Sequence, residues 1–352
     1  MTRRKSTEID VISQPKGGNA VGFVLDAKTQ EKLRRVIIDG TPPNTKRAYS
    51  GDMRYFWTWC SVIGWTDEPI LPVPTDIVAK FVVDHLEGLD DDIEEEMLDR
   101  GAKNKRGPHS IATIDRRISA LSTFHKSKNL ASPCNAPLIS ELMTKARKAA
   151  ARRGAKPLKK KAVIKDLLDQ MIDTCAGDSV IDVRDRALLF FGWSSGGRRR
   201  SEIVSATFEN LEERGENYVY QLGITKTDQE GEGSIVPVAG RAADAMKKWI
   251  EVSGIESGPL FRSVDRHSNI AKAALSDRAV ALIVKKRAKM AGLNPKLFAG
   301  HSLRSGFITE SGIKGVSLLE AMKLSGHKTM QVAAGYHQAG SALLNDAAGL
   351  AG

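Results

Sequence analysis

The sequence predicts a mainly α-helical protein with a small antiparallel β-sheet. A helical N-terminal domain is expected to precede a mixed α+β domain. Apolar residues recur at helical spacing through the first 150 or so residues, where no strand pattern stands out. Two short β-prone runs, residues 218–222 and 234–238, flank a polar, glycine-containing loop that is typical of a hairpin. A length of 352 residues suits two hydrophobic cores better than one.

The N-terminal block predicts a bundle of four helices within residues 28–150. Polar residues 1–27 precede it and are expected to form a disordered or extended arm. Thr45, Thr75 and Ser110 are candidate N-caps for the first three helices, and apolar residues over 138–146 mark the fourth.

An acidic run at residues 90–96 interrupts this bundle pattern. Clustered carboxylates can bind a metal ion, but like charges in a run usually form a solvated, mobile segment. No spaced acidic partner elsewhere completes a two-metal arrangement, so a solvated loop is predicted and no metal site.

A basic stretch without any acidic residue joins the two blocks. Gly154 and Pro157 break its helical pattern, which predicts an interdomain linker at residues 151–161, with the second domain at 162–352. The stretch is either a solvated tether or a strap along a phosphate backbone. Its candidate nucleic-acid-binding residues are Lys145, Arg147, Lys148, Arg152, Arg153, Lys156, Lys159, Lys160 and Lys161.

The second block predicts helices on both sides of the β-hairpin. Helical spacing covers residues 164–175 and 183–193 before the hairpin. It resumes over 242–252, 278–291 and the C-terminal third.

The overall composition favours a polyanionic partner. The formal net charge is +11, and each phosphate neutralised by Lys or Arg releases condensed counterions. Cys60, Cys134 and Cys175 are widely separated and odd in number, so buried free thiols in a reducing compartment are expected. No apolar run is long enough to span a bilayer and no signal peptide is visible, which predicts a cytoplasmic location.

Six residues of the second block suit phosphodiester chemistry. A phosphodiester repels nucleophiles, so its cleavage needs cations around the non-bridging oxygens, a positioned nucleophile and an acid for the leaving oxygen. Arginine binds two phosphate oxygens with its planar fork, whereas a tyrosine of pKa ~10 needs a cationic setting to ionise. The candidates, in chain order, are Arg199, Lys226, His301, Arg304, His327 and Tyr336.

Each candidate alone has an ordinary structural explanation, such as a helix cap, a surface pair or a solvated loop lysine. Their order and spacing together resemble the tyrosine recombinase (phage integrase) family. Its signatures look like GxRxSE, a hairpin lysine, HxxR, and GH with a tyrosine about nine residues on, over roughly residues 160–345. More loosely, the helical block with Trp57 and Trp59 resembles the core-binding domain of Cre-type recombinases.

The resemblance implies a mechanism for strand cleavage. Tyr336 would attack the scissile phosphate to give a 3′-phosphotyrosyl enzyme and a free 5′-hydroxyl. Lys226 would protonate the leaving oxygen, and His301 would be the acid/base partner of Tyr336. Because the phosphotyrosyl bond conserves the energy of the broken diester, no cofactor and no metal are implied.

The resemblance also implies how the phosphate is bound. Arg199 and Arg304 would hold its non-bridging oxygens, His327 would donate to it, and Glu202 would orient Arg199. Two further arginines, Arg198 and Arg200, flank Arg199, and only the three-residue spacing to Glu202 selects among them.

At the level of the assembly, the resemblance implies strand exchange in a DNA-bound homotetramer on an inverted-repeat site. The protein would be a monomer in the absence of DNA and would associate with the nucleoid when it binds DNA. The apolar tail over 342–350 would form a helix that either packs on its own domain or docks on a neighbouring subunit. The leader before residue 28 is expected to be too short for a separate arm-binding domain. A type IB topoisomerase and a non-catalytic DNA-binding regulator are the alternatives.

Overall fold

A computed structural model describes residues 43–154, 160–223 and 234–341, together with isolated positions between 26 and 40. The chain divides into two compact units, Met1–Pro157 and Leu158–Gly352. The described residues are mostly helical and contain two small antiparallel sheets, which confirms the predicted fold class. The predicted arm lies almost wholly, and the predicted C-terminal helix entirely, outside the described residues.

The N-terminal unit is helical throughout its described part. Its helices are α1 (Pro43–Val62), α2 (Thr75–Glu87), α3 (Asp91–Asp99), α4 (Ile111–Ser127) and α5 (Pro137–Arg152). Its core includes Trp59, Phe81, Ile114 and Met143, all within predicted helices. Ser110 caps α4 as predicted, by accepting a hydrogen bond from the backbone of Thr113. Thr45 lies inside α1, and Thr75 is the first residue of α2 after the N-cap Pro74, so neither of these two candidates is an N-cap.

Helix α3 contradicts the prediction of a solvated acidic loop. Met97 is fully buried on one face of this helix, and Glu94 is almost as buried. The Glu94 carboxylate accepts hydrogen bonds from Lys103 and from the backbone N–H of Gly107. The burial of one apolar side chain and a buried ion pair therefore orders a segment whose exposed residues are acidic.

The basic stretch begins on a helix of the N-terminal unit. Helix α5 continues to Arg152, so Lys145, Arg147 and Lys148 also project from a helix. Arg147 pairs with Asp115 at 2.6 Å. Lys156 and Lys159 lie outside the described residues.

The C-terminal unit begins with an anchored segment. Lys160 donates from Nζ to the carbonyl of Lys296 at 2.7 Å, and the backbone N–H of Lys161 donates to Leu297. The helices that follow are α6 (Lys165–Asp173), α7 (Val180–Ser194), α8 (Arg200–Val204), α9 (Arg241–Ser253), α10 (Asp277–Met290), α11 (His301–Ile313), α12 (Leu318–Ser325) and α13 (Met330–Ser341).

Two sheets accompany these helices. Strands β1 (Leu211–Arg214), β2 (Asn217–Leu222) and β3 (Ser234–Val238) form an antiparallel sheet in sequence order. The β2–β3 pair confirms the predicted hairpin. Strands β4 (Arg262–Val264) and β5 (Ile270–Ala274) make a separate two-stranded sheet. β1, β4 and β5 were not predicted, because their short and mostly exposed sequences show no clear alternation.

Glycines allow α11 and α13 to pack closely. A Cβ on Gly340 would lie 2.0 Å from the carbonyl oxygen of Thr309, and one on Gly312 would lie 2.2 Å from that of His337. These distances leave no room for a side chain at either position. The backbones of α11 and α13 are therefore in direct contact.

Cys60, Cys134 and Cys175 are free and buried, as predicted. Among the described residues, no helix is long and apolar enough to cross a membrane.

Candidate active site

A glycine turn positions the first arginine of the site. Gly196 and Gly197 have φ values of 102° and 72°, which favour glycine. A Cβ on Gly197 would lie 2.6 Å from the Cα of Arg304, so this turn lies directly against α11. The next three residues are arginines at the start of α8.

The structure distinguishes these three arginines. Arg198 is 1% exposed, whereas the side chain of Arg199 is 22% exposed and Arg200 lies at the surface against Gly300. Glu202 bonds Arg199 twice, accepting from its backbone N–H at 3.0 Å and from Nη1 at 2.5 Å. A guanidinium has five donors, so this pair orients the fork without using all of them.

Arg304 is buried beside this turn. Its Nη1 donates to the carbonyl of Gly197 at 2.9 Å. Its Nη2 is buried and has no hydrogen-bond partner among the described residues. Burial and the nearby charge of Arg199 lower the pKa of Arg304 to about 9, so the group stays protonated at neutral pH.

His301 and Tyr336 lie next to each other on α11 and α13. Their ring centroids are 6.2 Å apart and the rings are inclined at 62°. Partial loss of hydration, followed by the charges of Arg304, Arg199 and Arg200, lowers the pKa of His301. The imidazole is therefore neutral near pH 7 and able to accept a proton.

His327 follows the C-cap glycine of α12. Its Nδ1 lies 2.7 Å from Oγ of Ser325. Burial lowers its pKa to about 4, and the charges of Arg304 and Arg199 act in the same direction. His327 is consequently neutral at physiological pH, with one ring nitrogen carrying a proton.

A cleft of about 210 Å³ joins several of these residues. Arg199, Glu202 and His327 line it, together with Leu222 and Ser234. Those last two residues are the facing ends of β2 and β3. Lys226 lies between them in sequence but outside the described residues, so its predicted role stays a prediction.

The site as a whole is strongly cationic. The charges of Arg199 and Arg304 lower the pKa values of His301 and His327, and the charge of Arg199 also lowers that of Arg304. Glu202 is the one carboxylate among the described residues that line the cleft. Such a cluster favours a bound anion. Among the described residues, no group of three His, Cys, Asp or Glu side chains could hold a metal ion.

The structure thus brings together five of the six candidates: Arg199, His301, Arg304, His327 and Tyr336. The sequence did not reveal the contributions of Ser325, Gly197 and Arg198. Only the glycine pair before the arginines could have signalled a close backbone approach there.

The chain is similar to recombinases of known sequence and structure. The Phage integrase family model matches residues 161–341. An integrase/recombinase xerD homolog of Selenomonas ruminantium is 30% identical over 334 residues, covering 92% of this chain and 88% of the relative. A tyrosine recombinase of Synechococcus elongatus is 28% identical, covering 87% of this chain and 88% of that protein.

A solved structure shares the fold. The XerH site-specific recombinase bound to palindromic difH substrate, in a post-cleavage complex, superimposes with a TM-score of 0.55 at 17% identity. The match covers 85% of this chain and 76% of XerH. Together with the family match and the curated relatives, this shows that the chain belongs to the phage integrase family and is a tyrosine site-specific recombinase.

Proposed function

We propose that this recombinase cleaves and rejoins duplex DNA through a 3′-phosphotyrosyl intermediate formed by Tyr336. The hydroxyl oxygen of Tyr336 forms a bond to phosphorus as the bond from phosphorus to the 5′-oxygen breaks. His301 takes the tyrosine proton, and Lys226 gives a proton to the departing 5′-oxygen. The joining step reverses this sequence, with a 5′-hydroxyl of the partner strand as nucleophile.

The phosphate would lie between the two site arginines. Arg199, held by Glu202, and Arg304 would bind its non-bridging oxygens. Donation from Ser325 to Nδ1 of His327 would leave the proton on Nε2, where it can be donated to the phosphate. Since the phosphotyrosyl bond conserves the diester's energy, the proposed reaction uses neither ATP nor a metal ion.

The buried Nη2 of Arg304 is the observation that carries this proposal. A buried donor without a partner costs free energy of about 1–3 kcal/mol, and more when it is charged. A phosphate oxygen would satisfy it, and the charge of Arg304 also acts on His301, whose ring lies beside that of Tyr336.

We further propose that strand exchange takes place in a homotetramer on an inverted-repeat site, formed from monomers on DNA. The similar XerH was crystallised on a palindromic substrate, which supports a symmetric target. The basic residues near the end of α5 and in the linker would bind the phosphate backbone. The proposed location is the cytoplasm, on the nucleoid when DNA is bound.

Covalent trapping tests the nucleophile. Duplexes selected by this protein from a randomised pool would be nicked near the cleavage position, so that the short cleaved product diffuses away and religation fails. Wild type should accumulate a denaturant-resistant protein–DNA adduct. Tyr336→Phe should form none, because it lacks the attacking oxygen, while it binds the same duplex with nearly unchanged affinity.

Two results would contradict the proposal. An adduct that persists in Tyr336→Phe would assign the nucleophile to another residue. Relaxation of supercoiled plasmid by wild type, without recombinant products from two target sites, would favour the topoisomerase alternative.

A further inference from the structure

Arg198 is a buried arginine that the proposed chemistry does not use. This residue is only 1% exposed, although it borders the same cleft as the more exposed Arg199. An ion is costly to bury unless hydrogen bonds and countercharges compensate for the lost hydration. Its contacts therefore indicate what it does.

The first contact is with the end of α12. Nη2 of Arg198 donates to the carbonyl oxygen of Leu324 at 2.5 Å. The last four carbonyls of a helix have no partner within the helix, so the guanidinium caps one of them. A Cβ on Gly196 would lie 2.3 Å from the same oxygen, so the glycine turn also meets this helix end.

The second contact is with the carboxylate that orients Arg199. Nη1 of Arg198 lies 3.7 Å from Oε2 of Glu202, while Oε1 of Glu202 accepts from Arg199. Arg198 therefore contacts two parts of the site that are more than 100 residues apart in sequence. One part is the Arg199–Glu202 pair, and the other is the helix end that leads to His327.

Only two residues separate Leu324 from His327, and Ser325 bonds the imidazole directly. Displacement of this helix end would move the imidazole relative to Arg199. A shift of about 1 Å in a catalytic group can cost roughly 100-fold in rate.

We propose that Arg198 is a positioning residue for strand cleavage, which holds the turn bearing His327 at a fixed place relative to the Arg199–Glu202 pair. This inference rests on the proposed function. We assign Arg198 no phosphate contact, because the residue is only 1% exposed and its Nη2 already donates to the carbonyl of Leu324.

Single-turnover cleavage of the nicked duplex, at saturating protein, tests the proposal. Arg198→Met removes the donors at similar length and should slow cleavage by about 100-fold. Its DNA affinity should stay within about threefold of wild type, since a buried residue contributes no phosphate contact. Arg198→Lys keeps one charged donor and should recover at least about tenfold of the lost rate.

Arg287→Lys is the matched control for Arg198→Lys. Arg287 is equally buried in the same unit, but its partners are Asp185, Asp182 and the carbonyl of Thr174. Its variant should cleave within about threefold of wild type at temperatures where it is folded, as expected for a site without shared partners.

A double-mutant cycle separates positioning from general stabilisation. If Arg198 acts through His327, Arg198→Lys should cost less than about threefold in a His327→Ala background, although it costs about tenfold in wild type. The pH dependence gives a second readout. The charge of Arg198 is one of those that lower the pKa of His327, so Arg198→Met should raise that pKa, which an NMR titration of the imidazole measures.

The outcomes are distinct. Cleavage by folded Arg198→Met within about threefold of wild type would overturn the proposal, as would additive costs in the cycle. If Arg198→Met does not fold, the proposal is tested by Arg198→Lys and by the double-mutant cycle with His327→Ala. If wild type itself forms no adduct, the proposed function fails first and this inference fails with it.

Discussion

Tyr55, His85 and His109 form a buried hydrogen-bonded chain in the N-terminal unit. Nδ1 of His85 lies 2.6 Å from the carbonyl of Phe81, which can only accept, so this nitrogen carries the proton. Nε2 then accepts from the Tyr55 hydroxyl at 2.7 Å, and the Tyr55 oxygen accepts from Nε2 of His109 at 3.0 Å. The chain therefore requires neutral His85.

This arrangement makes the unit sensitive to acid. Burial lowers the pKa of His85 to about 3, the hydrogen bond with the carbonyl of Phe81 opposes this shift, and the charges of Arg117 and Lys103 add smaller effects. Between that value and the unfolded pKa of ~6.5, the unfolded chain binds the extra proton, so stability falls as the pH drops. From about pH 7 to pH 5 the loss should be roughly 2 kcal/mol.

Amide hydrogen exchange of peptides from α2, at the two pH values, measures this loss after correction for the intrinsic rates. In His85→Gln, which cannot titrate, the difference in protection between pH 7 and pH 5 should shrink by that amount. An unchanged difference would show that another group causes the acid sensitivity.

At the scale of elements, the contact between α11 and α13 places the candidate nucleophile beside His301. Gly340→Ala should force the two helices apart, because its Cβ would lie 2.0 Å from the carbonyl oxygen of Thr309. Such overpacking costs about 1–3 kcal/mol and would displace Tyr336. Cleavage should fall by at least about tenfold, while binding of the duplex is retained.

Gly335→Ala is the matched control in the same helix. Apart from its chain neighbours and the backbone of its own helix, no atom of the described residues lies within 4 Å of the Cβ that it would add. Alanine also favours a helix over glycine by about 1 kcal/mol. This variant should be as stable as wild type or more so, and should cleave normally. Equal losses of cleavage rate in Gly340→Ala and Gly335→Ala would show that the flexibility of α13 determines the rate and its packing against α11 does not.

At the scale of the whole molecule, the net charge of +11 should dominate DNA affinity. If six or more phosphates are contacted, the binding constant should fall about 10³-fold between roughly 50 and 200 mM salt. Lys148→Gln, which removes an exposed charge from α5, should reduce the slope of log affinity against log salt by about one.

Lys248→Gln is the control for this measurement, since Lys248 is paired with Glu251 on α9. Its slope should equal that of wild type. Fluorescence anisotropy with a labelled duplex measures the DNA affinity of all three proteins at each salt concentration. An affinity that does not change with salt would contradict phosphate-dominated binding.

The structure of the α3 segment and the different environments of the three arginines could not be predicted from the sequence. Most helices and the β2–β3 hairpin were predictable, because their apolar spacing is a property of consecutive residues. The acidic run was misread, since burial of Met97 and pairing of Glu94 with Lys103 depend on contacts that a charge count does not show.

The sequence by itself determined the family and supplied the candidate residues, because motif spacing along the chain carries that information. Only the tertiary structure decided that Arg199 is partly exposed in the cleft while Arg198 is almost wholly buried. The three side chains are chemically identical and adjacent. Their roles differ because folding places Arg198 against Leu324 and Arg200 against Gly300. Arg199, between them, is oriented by Glu202.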